Sequence, residues 1–270
     1  MPVDARRLVR KMRGGAQAHL IEASDGKFYV VKFSNNPQHR RILINEWIAA
    51  TFLRHLGLST PEVATVRISE EFLSQNPDTY IQLGRERRAP ETGWHFGSKF
   101  PGDPARAIVY DFLPDTLLQT VENLREFAGM LAFDKWTANA DARQAIFFRV
   151  RAADTERLGF AAQMVDNGYV FDGPRWRMAD SAAQGLYFRP LVYASVRGLA
   201  DFEPWLERIR HFPEEIVDLA VKEIPPAWLE GSGAELEQLL HRLLVRRKRV
   251  PELIEECRSG KLDPFPAWER

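Results

Sequence analysis

The sequence predicts an α+β protein of two lobes, strand-rich in front and mainly helical behind. Three observations support this. Two apolar runs, HLIEA (19–23) and KFYVVKF (27–33), flank Ser24-Asp25-Gly26, and an Asp-Gly step between such runs is a strong hairpin signal. Beyond Pro204 the chain turns helical in pattern, through PWLERIRHF, PEEIVDLAVKEI and GAELEQLLHRLLVRRKR to the closing PELIEECRS. The change of character falls near Asp111–Asp115, which divides the chain into residues 1–115 and 116–270.

Taken in order, MPVDARRLVRKMRGG is basic and has no apolar core, so it does not read as a secretory leader. Gly14 and Gly15 follow Arg13; adjacent glycines let backbone N–H groups approach a ligand, although alone they read as a turn. After the hairpin, residues 38–58 place Leu43, Trp47, Ala50, Leu53 and Leu56 at helical spacing. Gly57 stops that helix and Pro61 follows. TPEVATVRI (60–68) and DTYIQLGRE (78–86) read as strands. Residues 85–106, rich in Gly, Pro and charge, read as a long surface loop. RAIVYDFL (106–113) reads as a strand, residues 116–136 as one long helix, and QAIFFRV (144–150) and LGFAAQMVD (158–166) as a strand pair.

Composition narrows the function classes. The 270 residues carry 37 Lys+Arg against 37 Asp+Glu, so no global charge draws the chain to nucleic acid or to an anionic membrane. With 45% apolar and 27% charged residues it has the make-up of a soluble globular protein. No apolar run approaches the roughly 20 residues of a membrane helix. A single cysteine, Cys257, excludes an intrachain disulfide and fits a reducing, cytoplasmic setting. The histidines lack metal-ligand spacing, and Arg246–Arg249 reads as a solvated helix end.

The chemistry lies in two strings, FDKWTANAD and VDNGYVF. Asp134 and Asn139 stand five apart, and Asp166 precedes Gly168 by two. Asp-x-x-x-x-Asn followed by Asp-x-Gly is the spacing of kinase-type phosphoryl transfer. There the first Asp accepts the proton of the attacking hydroxyl, while the Asn and the second Asp hold magnesium. Each string alone also reads as a turn or cap. Lys32 ends a strand, where such an enzyme keeps its phosphate-gripping lysine. Glu46 lies on or beside the apolar face of the next helix, where a carboxylate is costly without a partner; a Lys32–Glu46 ion pair accounts for both. Together these residues predict a two-lobed protein-kinase-like fold. ATP is expected between the lobes, with its phosphates under Gly14 and Gly15 and its adenine against the backbone of Tyr110–Pro114, including Phe112 and Leu113. Mg2+ is expected on Asn139 and Asp166, hard oxygen donors that suit it better than zinc.

On these segments the chain resembles the HipA family of bacterial Ser/Thr kinases, most of all its compact HipA-like branch. The matching strings are VVKF with Lys32, NEWIAATFLRHLGLSTPEV with Asn45-Glu46, FDKWTANAD and QMVDNG, in the family's order between about residues 10 and 170. The resemblance implies transfer from ATP to a Ser or Thr hydroxyl, with Lys32 on phosphate, Asp134 catalytic, and Asn139 and Asp166 on metal. It also brings an association with toxin–antitoxin systems and so the question of an antitoxin-like partner. The chain departs from the family in being shorter than the full-length kinases, in having no Ser or Thr between Arg13 and Leu20, and in its region after Pro204. Two other readings stay open: a nucleotide-binding pseudokinase that serves as a scaffold, and a small-molecule kinase similar to the aminoglycoside phosphotransferases.

Overall fold

The computed structural model describes residues 2–151, 158–260 and 263–269. The hairpin forms where the sequence puts it: β2 (His19–Ala23) and β3 (Phe28–Lys32) pair antiparallel around a turn whose Gly26 has φ +73. On one side they extend to β1 (Pro2–Lys11), on the other to β7 (Gly93–Lys99), and β4 (Val63–Ile68) closes the ring in the order β1-β2-β3-β7-β4. Val3, Ile21, Val31, Phe33, Val66 and Phe72 fill its interior. Strand alternation then turns Lys32 away from that interior.

Two of these strands are absent from the sequence reading. β1 occupies the basic N-terminal stretch, with Val3 and Ala5 buried while Arg6, Arg7 and Arg10 face water. β7 lies inside the presumed surface loop, together with β6 (Glu86–Arg88), which pairs with β5 (Ile81–Leu83). β7 closes the set between β3 and β4, bonded to both. Its Gly97 is required by packing, since a Cβ there would lie 3.3 Å from the Tyr29 Cβ and closer still to Val66.

Helix α1 (Arg41–Leu56) matches its predicted span and ends as read, with Gly57 at φ 72 and its N–H bonded to the Arg54 and Leu53 carbonyls. It is buried nearly all round, because it lies between the barrel and the helices of the C-terminal half. A short helix, α2 (Glu70–Gln75), is capped by Ser69.

The predicted long helix over 116–136 is two helices, α3 (Asp115–Leu118) and α4 (Glu126–Thr137). The chain between them runs along a strand instead. Val121 bridges to Phe160, and the Asn123 amide bonds both the N–H (2.8 Å) and the carbonyl (2.9 Å) of Ala162. That strand is β10 (Leu158–Val165), antiparallel to β9 (Gln144–Arg151), which also pairs with the two-residue β8 (Val109–Tyr110). Beyond Pro204 the chain is mainly helical, as the periodicity predicts: α5 (Trp205–Arg210), α6 (Glu214–Lys222), α7 (Pro226–Leu229), α8 (Gly233–Arg246) and α9 (Val250–Glu255). α5, α8 and α9 pack on α4, whose Trp136 stacks on Phe52 of α1 and donates to the Leu243 carbonyl at 2.9 Å. Among the described residues no helix is long and apolar enough to cross a membrane.

Candidate active site

Lys32, Glu46 and Asp166 meet at one point. The Lys32 ammonium lies 2.5 Å from Glu46 Oε1 and 2.7 Å from Asp166 Oδ1. β3 delivers the lysine, the second turn of α1 the glutamate, and the end of β10 the aspartate. Burial alone would drive the Lys32 proton off, but the two carboxylates outweigh it and hold the pKa above the ordinary lysine value. In turn the Lys32 charge keeps the Asp166 carboxyl below the usual carboxylate range, against the effect of burial. The Lys32 and Glu46 side chains are almost fully enclosed, whereas that of Asp166 is 38% exposed, so the cluster opens to solvent on the aspartate side.

The Asp166 backbone stands in the left-handed region at φ 59. Contacts on both flanks hold it there. Downstream, the Asn45 amide donates to the carbonyls of Gly168 (2.7 Å), Val170 (3.1 Å) and Gly173 (3.1 Å), while its own oxygen accepts from Trp176 at 2.8 Å. Asn45 and Glu46 thus divide the work of one helical turn: one ties the chain after Asp166, the other the lysine. Gly168 is needed at this crossing, because a Cβ there would press into Ile42 of α1.

Asp134 and Asn139, expected at the site, lie apart from this cluster. Asp134 is wholly buried. Its Oδ2 accepts from Arg143 Nε at 2.9 Å; its Oδ1 accepts from Arg143 Nη2 and, at 2.9 Å, from Asn139. Burial pushes the carboxyl upward and the Arg143 guanidinium pulls it back. Gly185 packs directly over its Cβ, at φ +70. Asn139 is buried too: its amide nitrogen donates to Asp134 and its oxygen accepts from the Asp141 N–H at 3.2 Å.

What the same loop does present outward is Asp141 and Gln144, both exposed. Gln144 Nε2 donates to Asp166 Oδ2 at 3.1 Å, which brings this stretch to the lysine cluster. From the sequence Asp141 reads as a turn former, and Gln144 merely opens a strand. The available signal is that Asp141, Arg143 and Gln144 crowd the start of β9, three polar residues where an apolar strand begins.

The remaining predicted ligand residues are placed as follows. Gly14 has φ 118, and Gly15 sits so close to Gln38 that a Cβ would lie 2.7 Å from its amide nitrogen. Tyr110 is half-buried and Leu113 buried, while Phe112 is exposed with the Arg189 guanidinium 4.5 Å above its ring. Arg189 also donates to the Leu113 carbonyl and pairs with Asp115, so it straps the connection between the two halves.

Among the described residues no three His, Cys, Asp or Glu side chains gather as a metal cage. Gln144 and Asp166 offer hard oxygen donors on an open side. That fits a divalent cation completed by phosphate oxygens and water, and does not fit a resident structural metal.

A model described as HipA-like kinase matches residues 6–147. No curated protein matches the chain. Solved structures that match include the crystal structure of the Golgi casein kinase with Mn/ADP bound, at TM-score 0.53, 12% identity and coverage of 96% of this chain and 73% of that one, and a crystal structure of the Golgi casein kinase at TM-score 0.51, 12% identity, 96% and 72%. At this identity the likeness speaks for the fold, which is protein-kinase-like with mixed helix and strand.

Proposed function

Since the chain belongs to the HipA-like kinase family, we propose that it is an ATP- and Mg2+-dependent phosphotransferase whose acceptor is a hydroxyl, a protein Ser or Thr by the family's example. The observation that carries this reading is the Lys32 ammonium held between Glu46 and Asp166 at 2.5 and 2.7 Å. The nucleotide lies between two lobes that join at Asp111–Asp115. Mg2+, which Asp166 and Gln144 would help to hold, would neutralise phosphate charge. Lys32, kept charged by Glu46, grips phosphate; Asp166 and Gln144 face the cation; Asp141 accepts the proton of the attacking hydroxyl.

The assignment to Asp141 rests on access. It is exposed and lies three residues before Gln144, whereas Asp134 has both oxygens taken and no opening to solvent. A positioned base contributes about 10²–10⁴-fold. Label transfer from γ-labelled ATP to protein acceptors is therefore expected to fall by about that factor in Asp141→Asn, with ATP affinity retained. Equal transfer by wild type and variant rejects the role. The burial of Asp134 and Asn139 favours a second reading, a nucleotide-binding module without transfer; in that case wild type binds ATP and moves no label to any hydroxyl.

A further inference from the structure

We propose that Asp134 and Arg143 form a buried clamp that sets the backbone of Asp166 for its ligand, so that Asp134 acts on the reaction through Arg143 and never touches substrate. This inference rests on the reading of Asp166 as the carboxylate that meets a divalent cation.

The need for a clamp is local. A left-handed backbone is sparsely allowed for a residue with a Cβ, and it persists only where the surroundings enforce it. Asp166 adopts φ 59, directly after the last pair of the β9–β10 ladder, Val165↔Gln144. Arg143 immediately precedes Gln144, and its Nη1 donates to the Val165 carbonyl at 3.0 Å and to Asn167 Oδ1 at 2.9 Å, the two residues flanking Asp166. The other edge of the same planar guanidinium is spent on Asp134, through Nε and Nη2. A fork bonded on both edges cannot rotate, so the position of Asp134 becomes the position of residues 165–167.

Asp134 is itself a fixed point. It lies in the last turn of α4, whose residues are buried throughout from Phe127 to Thr137. Asn139 donates to it at 2.9 Å and Gly185 covers it. The pair is almost completely enclosed, at 1% and 0% exposure, so the charges serve no surface role. Asn45 pins the chain from the far side, at Gly168. Together these contacts couple the C-terminal core to the open cluster around Lys32. Lysine at 143 keeps the charge but loses the two-edged geometry.

The test uses Arg143→Lys and Asp134→Asn in the full chain. Because an orphaned buried charge can unfold a protein, the apolar double variant Asp134→Leu/Arg143→Met removes both charges together. Two readouts are taken on folded protein. One is the Mg2+ concentration at half-maximal stabilisation by ATP in thermal melts; the other is amide exchange at residues 165–168 in EDTA. The clamp predicts at least a roughly tenfold higher Mg2+ midpoint in these variants, ATP affinity in EDTA within about twofold of wild type, and faster exchange confined to that segment. A wild-type Mg2+ midpoint with unchanged exchange in any folded variant overturns the clamp while leaving the cation site intact. No Mg2+ dependence in wild type itself overturns the cation reading, and the clamp with it.

Discussion

His95 offers a prediction whose size follows from the structure. It lies fully buried on β7, where its Nδ1 accepts from the Ser34 N–H at 2.9 Å and its Nε2 lies 2.9 Å from the Glu91 carbonyl. Ser34 follows Lys32 by two residues, so this ring helps to anchor the end of the lysine strand. Accepting at Nδ1 requires the neutral Nε2–H tautomer. Burial lowers the His95 pKa to about 4 from an ordinary 6.5, while the Glu91 carbonyl acts weakly the other way. The unfolded chain therefore takes up this proton before the folded one. Stability is complete above about pH 6.5 and is lost as pH falls toward 4, at about 1.4 kcal/mol per pH unit. By pH 5 the loss is roughly 2 kcal/mol. The perturbation is His95→Gln, which cannot titrate; the assay is denaturant unfolding of both proteins at about pH 7.5 and pH 5. His19, likewise lowered to about 4 chiefly by burial, titrates in both proteins and cancels. The wild-type advantage over the variant is expected to shrink by about 2 kcal/mol between the two pH values. A difference independent of pH refutes the neutral, buried His95.

Two more outcomes follow from packing and charge. In α4, Gly129 faces the Trp205 indole so closely that a Cβ would overlap the ring; Gly129→Ala should lower unfolding free energy by about 1–3 kcal/mol despite alanine's better helix propensity, and an unchanged or raised stability contradicts this packing. Glu46→Gln leaves Lys32 with Asp166 as its only carboxylate partner, so chemical unfolding should show a loss of roughly 2 kcal/mol, the worth of a hydrogen bond to a charged group; no loss means that the 2.5 Å contact contributes nothing to the fold.

Much of the fold is legible in the sequence, for reasons that differ by element. The hairpin and α1 are written locally, in Asp25-Gly26 and in Gly57 after a periodic run. Glu46 is legible because a carboxylate among Leu43, Ala49, Ala50 and Leu53 demands a partner, and Lys32 is the cation the topology supplies. β1 is not, because Arg6, Arg7 and Arg10 crowd it with exposed charge, and of its residues that meet the core Val3 and Ala5 are buried and Leu8 only partly so. β7 hides for a related reason: it buries His95, Phe96 and Gly97, and glycine and histidine carry no strand signal. The helix over 116–136 breaks at Asn123 because a side-chain amide there pairs with β10, a contact that periodicity cannot foresee.

At the site, spacing alone does not show what surrounds each residue. Asp134 and Asn139, five apart, are bonded to each other at the end of a buried helix. Whether a carboxylate faces solvent or an arginine is decided by Arg143, nine residues on, and by the chain that returns at Gly185.

The most direct measurement is the thermal shift given by ATP with Mg2+ and with EDTA, in wild type and in Asp166→Ala. It does not depend on knowing the acceptor. Binding to the native state alone adds about 2.7 kcal/mol of stability at a ligand concentration a hundred times Kd. The account predicts a shift that is larger with Mg2+ than with EDTA in wild type, and an excess largely lost in Asp166→Ala. Equal shifts with and without Mg2+, unchanged in the variant, would contradict a metal–nucleotide site built on Lys32, Glu46 and Asp166.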